Sequence, residues 1–214
     1  MQTSHIQEEL VREIVNKYMN TGKISNQLII PVRVSNHHIH LSQADLETLF
    51  GEGYELHPLK ELSQKGFYAA KETLMLAGPK DVIKKVRVLG PLRKDTQIEI
   101  LASDGPKLGI VPPLRISGVL APAPALTLIG PKGIVVNNMG VMVAWRHIHI
   151  DSREAADLHI RESDLMQVKT MGDRAVILSN VKIRAGKFNT ELHIDVDEAN
   201  AAGIKDGDQV EVLL

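Results

Sequence analysis

The sequence of 214 residues contains no cysteine. This absence excludes disulfide bonds, thiolate zinc sites, iron–sulfur clusters and a cysteine nucleophile, so any bound metal must have nitrogen and oxygen ligands. Aromatic residues are also scarce, with three Phe, three Tyr and one Trp. The core must therefore be built mostly from Val, Ile and Leu, a composition that favours strands over a helix bundle.

The chain has no marked excess of either charge, since 25 Lys and Arg residues stand against 26 Asp and Glu residues. No dense basic block is present, so nucleic acid is not an expected partner. The longest uncharged stretch, between Arg115 and Lys132, contains prolines and is shorter than the roughly 20 apolar residues of a membrane span. We therefore expect no contact with a membrane, and the cytoplasm is the expected compartment.

The first residues predict a helix outside the globular body. One helical face over residues 6–18 is apolar and consists of Ile6, Leu10, Val11, Ile14, Val15 and Tyr18. The following polar segment contains Gly22 and resembles a tether to a body that begins near Leu28. The pattern thus predicts a unit over residues 1–25, an amphipathic helix with its tether, that docks on a partner. The alternative is that the helix packs on the protein's own core.

Short β-type runs separated by turn residues follow from Leu28 onward and predict a mainly β fold, a sandwich or barrel. Three short helices are also predicted. Each begins at a capping residue, which is Ser42, Asp151, and either Asp195 or Asp197.

An internal repeat is the most informative feature. The segment VSNHHIHLS (34–42) aligns without gaps with VAWRHIHID (143–151), and a capped helix follows each copy. The repeat predicts two pseudo-symmetric barrel halves. Residues i and i+2 share a face only in a strand, so each H-x-H pair can bind one ion only if it is extended.

Five of the nine histidines are candidate metal ligands in this context: His38, His40, His147, His149 and His193. Catalytic zinc sites commonly have three protein ligands and an open fourth position. The three later histidines can form such a set by themselves. The first pair needs a carboxylate, for which Glu99 and Glu55 are both placed on β-type runs, and the residues alone leave this choice open. His5, His57 and His159 lie in contexts that do not suggest metal binding.

Nucleotide-binding glycine motifs and the serine-hydrolase motif are absent from the sequence. Five segments instead carry a family resemblance: VSNHHIHLS, GPKDVIKKVRVLGPLRKDTQIEI, LGI-x-PPLRISG, RHIHI and ELHIDVDEANAAG. In this order, from about Pro31 to Gly207, they resemble the phosphate acyltransferases of the propanediol-utilisation type, or phosphotransacylases. That family interconverts an acyl-CoA plus phosphate and an acyl phosphate plus CoA, with propanoyl-CoA or acetyl-CoA as the short-chain substrate.

The resemblance implies two β-barrels with a pair of zinc ions between them. The first barrel covers residues 37–144. The second is discontinuous and covers residues 26–36 plus 145–214, because the first strand pairs with the C-terminal barrel. Many members work in the lumen of a bacterial microcompartment during propanediol degradation, where an N-terminal helix contacts shell or core proteins. A homodimer is expected as the common default.

The resemblance also implies roles for individual residues. One zinc ion is bound by His38, His40 and Glu99, and a second by His147, His149 and His193. The phosphate is bound by Arg93, the expected catalytic residue. Coenzyme A is contacted by Ser35, Lys60, Arg87 and Asn200. One departure from the family pattern is His37, which stands where the motif usually has arginine, as it does at Arg146.

The expected chemistry suits these residue types. Attack of phosphate on a thioester builds negative charge on oxygen, which zinc can stabilise, and an arginine fork matches phosphate oxygens. Two other functions remain open from the sequence. One is a two-metal hydrolase of an ester or phosphate substrate, and the other is a non-catalytic scaffold with structural zinc.

Overall fold

The computed structural model describes residues 28–214, which form 15 strands and four short helices. The helix predicted within residues 1–25 lies outside the described residues. The strands are β1 Leu28–Ser35, β2 His38–His40, β3 Pro58–Glu61, β4 Tyr68–Ala77, β5 Val82–Gly90, β6 Gln97–Glu99, β7 Leu114–Arg115, β8 Leu126–Ile129, β9 Ile134–Asn137, β10 Val141–Ala144, β11 His147–Asp151, β12 Leu165–Lys169, β13 Ile177–Gly186, β14 Glu191–Asp195 and β15 Gln209–Leu213. The helices are α1 Gln43–Phe50, α2 Asp104–Leu108, α3 Ser152–Asp157 and α4 Val196–Ala202.

Six strands form a closed barrel in the order β1-β14-β11-β13-β12-β15. Strand β1 closes it, because it pairs in parallel with β14 and antiparallel with β15. The first described strand is therefore joined to the C-terminal part of the chain. The barrel encloses its own apolar core, which includes Ile30, Val32, Ile148, Ile150, Val168, Val181, Leu192, Val210 and Val212.

The other nine strands form one sheet in the order β7-β10-β6-β2-β5-β4-β8-β9, with β3 paired to β4. Helix α1 packs its buried Leu46 and Leu49 into the core of this sheet. The mainly β fold is thus confirmed. The barrel expected from residues 37–144 is instead a half-barrel, because the described strands of this sheet do not close. Its edge strand β7 has only two residues, and Pro122 and Pro124 after it lack the N–H needed to extend pairing.

Three helices begin at predicted capping residues. The Ser42 hydroxyl accepts a hydrogen bond from the main-chain N–H of Asp45. The Asp151 carboxylate accepts one from the N–H of Arg153, and the Asp195 carboxylate accepts one from the N–H of Glu198. The third cap is therefore Asp195 and not Asp197. Helix α2 was not predicted, because it has only five residues and too short an apolar pattern to be recognised.

Both H-x-H pairs are extended, as predicted. Strand β2 lies between β5 and β6, and β11 lies between β13 and β14, so each pair occupies a central strand. The β-type run proposed around Glu55 is wrong. The chain there turns at Gly53, which has a positive φ of 70°, and stays irregular up to β3. Among residues 28–214, no helix is both long and apolar enough to cross a membrane.

Candidate active site

His38, His40 and Glu99 form the first candidate ligand group, a set of side chains that could hold a metal ion. In the antiparallel pair β2–β6, His38 lies opposite Glu99, which places the three side chains on one face of the sheet. The distance from His38 Nε2 to Glu99 Oε2 is 3.5 Å, and that from His40 Nε2 to Glu99 Oε1 is 4.0 Å. All three side chains are buried, and one ligand atom from each lies within 4.8 Å of the others. The carboxylate beside the first histidine pair is thus that of Glu99.

His147, His149 and His193 form the second ligand group on the barrel. His147 lies opposite His193 in the antiparallel pair β11–β14, and their rings stack with centroids 5.0 Å apart. One nitrogen from each of the three residues again lies within 4.8 Å of the others. The two copies of the H-x-H repeat therefore each meet a third ligand on the antiparallel neighbouring strand, a glutamate in one case and a histidine in the other.

Backbone carbonyl groups fix the tautomer of the first histidine in each copy. His38 Nδ1 is 2.8 Å from the Asn36 carbonyl oxygen, and His147 Nδ1 is 2.9 Å from that of Trp145. Because a carbonyl oxygen can only accept, each Nδ1 must carry the hydrogen. Each Nε2 then keeps a lone pair, as a metal ligand requires.

One other imidazole nitrogen supports metal binding. His149 Nε2 is buried and has no hydrogen-bond partner among the described residues. A buried polar atom without a partner is rare and costly in a folded protein. A cation bound by the lone pair removes that cost for an unprotonated nitrogen. Together with the two donor sets, this atom fits divalent ions that prefer imidazole and carboxylate, such as zinc.

Three of the histidines are held in the neutral form. Burial lowers the pKa of His147 to about 4 and that of His149 to about 2, and the charge of nearby His193 acts in the same direction. The pKa of His40 falls to about 3, chiefly through burial and then through the charge of His38. Metal ligation needs unprotonated imidazole, so these three side chains are ready to bind a cation at neutral pH.

Glu99 stays ionised although it is buried. Burial opposes its ionisation, but the charge of His38 and a hydrogen bond with that ring outweigh burial and hold the pKa of Glu99 below its usual range. The same pair raises the pKa of His38, against the effect of burial. The first group therefore has a negative charge that the second group lacks.

Polar side chains around both groups orient the ligands. Ser117 Oγ donates to Glu99 Oε1 at 2.8 Å, and Gln97 Nε2 also contacts that oxygen. In the barrel, the buried carboxylate of Glu191 accepts hydrogen bonds from His193 Nε2 at 3.0 Å and from Arg33 Nε at 2.8 Å. None of these supports was predicted. Only Glu191 had a visible signal, since it lies two residues before His193 on the same strand face.

The sheet and the barrel are joined beside the two groups. Ser63, in the turn between β3 and β4, donates to Glu191 Oε1 at 2.5 Å, and its neighbour Gln64 contacts His149 Nδ1. Ser103 donates to Asp197 on α4 at 2.7 Å. The charge of Glu99 also contributes to the pKa of His147, although burial is the main cause of that shift. The two candidate ligand groups therefore both lie near the junction, one on the sheet and one on the barrel.

Arg93 lies at the first group. It follows β5, and its main-chain N–H donates to the Leu41 carbonyl. Its Nη2 donates to His40 Nε2 at 2.9 Å, and Nη1 is 3.4 Å from Ser117 Oγ. The positively charged guanidinium group of Arg93 thus contacts a candidate ligand atom. An anionic substrate that approaches the ligand atoms also meets this charge.

The residues expected to contact coenzyme A lie in two places. Arg87 on β5 is the register partner of His38 on β2. Its Nη1 donates to the carbonyls of Ala70 and Lys71. Lys60 is exposed on β3 of the same sheet. Ser35, at the end of β1, and exposed Asn200, on α4, lie on the barrel side.

His37 and Arg146 occupy equivalent positions in the repeat, and each pairs with an acid. His37 Nδ1 lies 3.1 Å from Asp104 Oδ2, and Arg146 Nη1 donates to Glu198 Oε1 at 2.6 Å. His37 is not part of the first ligand group. At this position the histidine makes the kind of contact to a helix carboxylate that arginine makes in the other copy.

Two candidate ligand groups and an arginine thus lie where the sheet joins the barrel. This arrangement is that of an enzyme that acts on an anionic substrate. A sequence model of the phosphate propanoyltransferase family matches residues 31–205, and the chain belongs to that family. It is therefore a transferase of the phosphate acyltransferase type.

Three relatives named phosphate propanoyltransferase illustrate the match. That of Thermotoga maritima is 51% identical over 186 residues, covering 86% of this chain and 89% of the relative. That of Salmonella typhimurium is 44% identical over 198 residues, covering 92% of each. That of Clostridioides difficile is 40% identical over 207 residues, covering 96% of this chain and 98% of the relative.

Proposed function

We propose that the chain is a zinc-dependent phosphate acyltransferase that interconverts a short-chain acyl-CoA plus phosphate and an acyl phosphate plus CoA. The acyl group is propanoyl or acetyl. Family membership supports the reaction type. The observation that carries the zinc proposal is the presence of two three-residue groups, each on a pair of adjacent antiparallel strands. Arg93 contacts the first of these groups.

The ligands of one zinc ion are His38, His40 and Glu99, and those of the other are His147, His149 and His193. When bound, zinc supplies a Lewis acid for the thioester carbonyl or for the leaving sulfur. The neutral imidazoles of His40, His147 and His149 and the ionised Glu99 are already in the protonation states that such ions require. The groups that orient Glu99 and His193 reduce the cost of fixing the ligands.

Arg93 positions the nucleophile. Its planar fork binds two phosphate oxygens and directs a third toward the carbonyl carbon of the acyl group. The new C–O bond forms as the C–S bond breaks, the electron pair leaves with the sulfur, and the thiolate of CoA then takes up a proton. No side chain of the protein becomes acylated, which suits a chain without cysteine.

Coenzyme A lies along the sheet and the end of the barrel in this proposal. Arg87 uses two hydrogen bonds to carbonyl groups, so its remaining donors are available for phosphate oxygens. Lys60 supplies a second positive charge on the same sheet, while Ser35 and Asn200 supply neutral polar groups. The enzyme acts as a homodimer in the lumen of a bacterial microcompartment.

If phosphate is the acyl acceptor, the release of free thiol must depend on phosphate. Zinc-loaded protein mixed with propanoyl-CoA should release free thiol only when phosphate is present, because phosphate is the nucleophile. A thiol reagent follows the reaction, and acyl phosphate is trapped with hydroxylamine. Thiol release at the same rate without phosphate would instead identify the two-metal hydrolase, and no release under either condition would identify a scaffold.

Deletion of residues 1–20 should leave the catalytic constants and melting temperature nearly unchanged. Residues of the described range, from 28 onward, form the two cores and both candidate ligand groups. Co-assembly with microcompartment shell proteins should be lost, because we propose that these residues dock on a partner. Measured together, unfolding and co-sedimentation separate the cases, since failure of the shortened chain to fold would place the apolar stripe in the core.

A further inference from the structure

Arg184 lies on the face of the barrel that carries the second ligand group. In the parallel pair β11–β13, Arg184 is the register partner of His149. Side chains of register partners project from the same face of a sheet. Arg184 is half-buried, so its charge is held close to this face rather than being fully solvated.

Arg184 is the half-buried arginine whose side chain has no partner among residues 28–214. The structure places six arginines of residues 28–214 in half-buried positions, and five of them make side-chain hydrogen bonds. These five are Arg33, Arg87, Arg93, Arg115 and Arg146. Arg184 has no hydrogen bond or ion pair from its side chain within the described part of the chain. Holding a guanidinium group partly out of water without a protein partner is costly, and an anion bound there would remove that cost.

The charge of Arg184 acts on a residue of the barrel and on a residue of the sheet. Burial is the main cause of the lowered pKa of His149, and the charge of Arg184 is a further cause. Burial also lowers the pKa of Arg93, where attraction by Glu99 opposes the shift and repulsion by Arg184 adds to it. The register of Arg184 beside His149 places it at the second candidate ligand group, and its repulsion of Arg93 is that of a like charge on the other sheet. An anion between them converts this repulsion into two attractions.

We propose that Arg184 is a second phosphate-binding residue, which contacts the phosphoryl oxygens of inorganic phosphate and of acyl phosphate from the barrel side while Arg93 contacts them from the sheet. The proposal rests on the proposed function, because that function brings a phosphoryl group to this place. Phosphate has enough oxygens to accept from both guanidinium forks at once. The two arginines then fix the nucleophile in orientation as well as in position.

Steady-state kinetics of Arg184→Ala and Arg184→Lys test this assignment. The alanine variant should raise the KM for phosphate, and in the reverse direction for acyl phosphate, by about ten- to a hundredfold, the range for a lost charge-assisted hydrogen bond. The KM for propanoyl-CoA and for CoA should change by less than about twofold. The KM of the lysine variant for phosphate should lie between those of the wild type and the alanine variant, because lysine keeps the charge but lacks the planar guanidinium group. Arg153→Gln, an exposed arginine on α3, is the matched control and should leave both constants unchanged.

Phosphate-dependent thermal stability supplies a readout that needs no turnover. Zinc-loaded wild-type protein should melt at a higher temperature in phosphate than in chloride at equal ionic strength, and Arg184→Ala should lose most of this difference. An unchanged KM for phosphate, or a raised KM for CoA alone, would overturn the proposal. So would loss of zinc together with a lower melting temperature without phosphate, which would make Arg184 structural. If wild-type protein transfers no acyl group, the proposed function fails, and the thermal shift still decides whether Arg184 binds phosphate.

Discussion

Replacing His38 by alanine is expected to remove about one zinc ion per chain and nearly all acyltransferase activity, and replacing His147 is expected to do the same. Each residue is one of only three ligands in its group, and its Nδ1 hydrogen bond to a carbonyl prepares Nε2 for a cation. Zinc with two protein ligands is weakly held. Metal analysis after chelation, reloading and gel filtration should give about two zinc ions per wild-type chain and about one for either variant.

A matched histidine outside both groups provides the control. His159 is exposed and has a positive φ of 56°, so His159→Asn keeps a residue that tolerates this backbone conformation. This variant should keep two zinc ions and full activity. A wild-type value near zero after reloading would refute the metal site, whereas a loss of both ions from either variant would show that the two sites bind zinc as one unit.

The ligand pairs were predictable because their spacing carries structural information. Residues two apart share a face only in a strand, and the β-type runs before His38 and His147 made strands the expected conformation. The third ligands were harder to assign, because Glu99 and His193 reach their groups through strand register, which sequence spacing does not encode. For Glu99, the family resemblance made a choice that the residues alone left open, and Glu55 lies in an irregular segment.

The surroundings of the ligands could not be predicted, for a related physical reason. Ser63 and Gln64 reach the barrel from a turn of the other sheet, and each contact depends on how the two parts of the fold meet. Arg184 looks like an ordinary polar residue of an alternating strand until β13 is placed beside His149. Short periodic patterns thus identify strands and ligands, whereas long-range packing determines which polar side chains support them.

Arg93→Ala and Arg93→Lys are both expected to reduce kcat/KM for phosphate by about a hundredfold or more, which corresponds to about 2.7 kcal/mol of lost transition-state stabilisation. A bidentate contact between arginine and phosphate is strong and directional, and lysine cannot reproduce the planar fork although it keeps the charge. Initial rates at varied phosphate give this constant directly. The KM for CoA and the zinc content should change little, because Arg93 contacts His40 and is not itself a ligand.

The structure ranks the residues that would replace Arg93 in this role. If Arg93→Ala kept near-normal phosphate kinetics, Lys80, Lys132 and Arg146 would be the alternatives, but Arg146 already forms an ion pair with Glu198 and donates to the Ser179 carbonyl. Lys132 lines a different cavity, next to Tyr54. Loss of zinc from Arg93→Ala would instead make Arg93 a support for the first ligand group. Zinc content measured beside the phosphate kinetics therefore separates a residue that binds the nucleophile from one that holds the metal ligands.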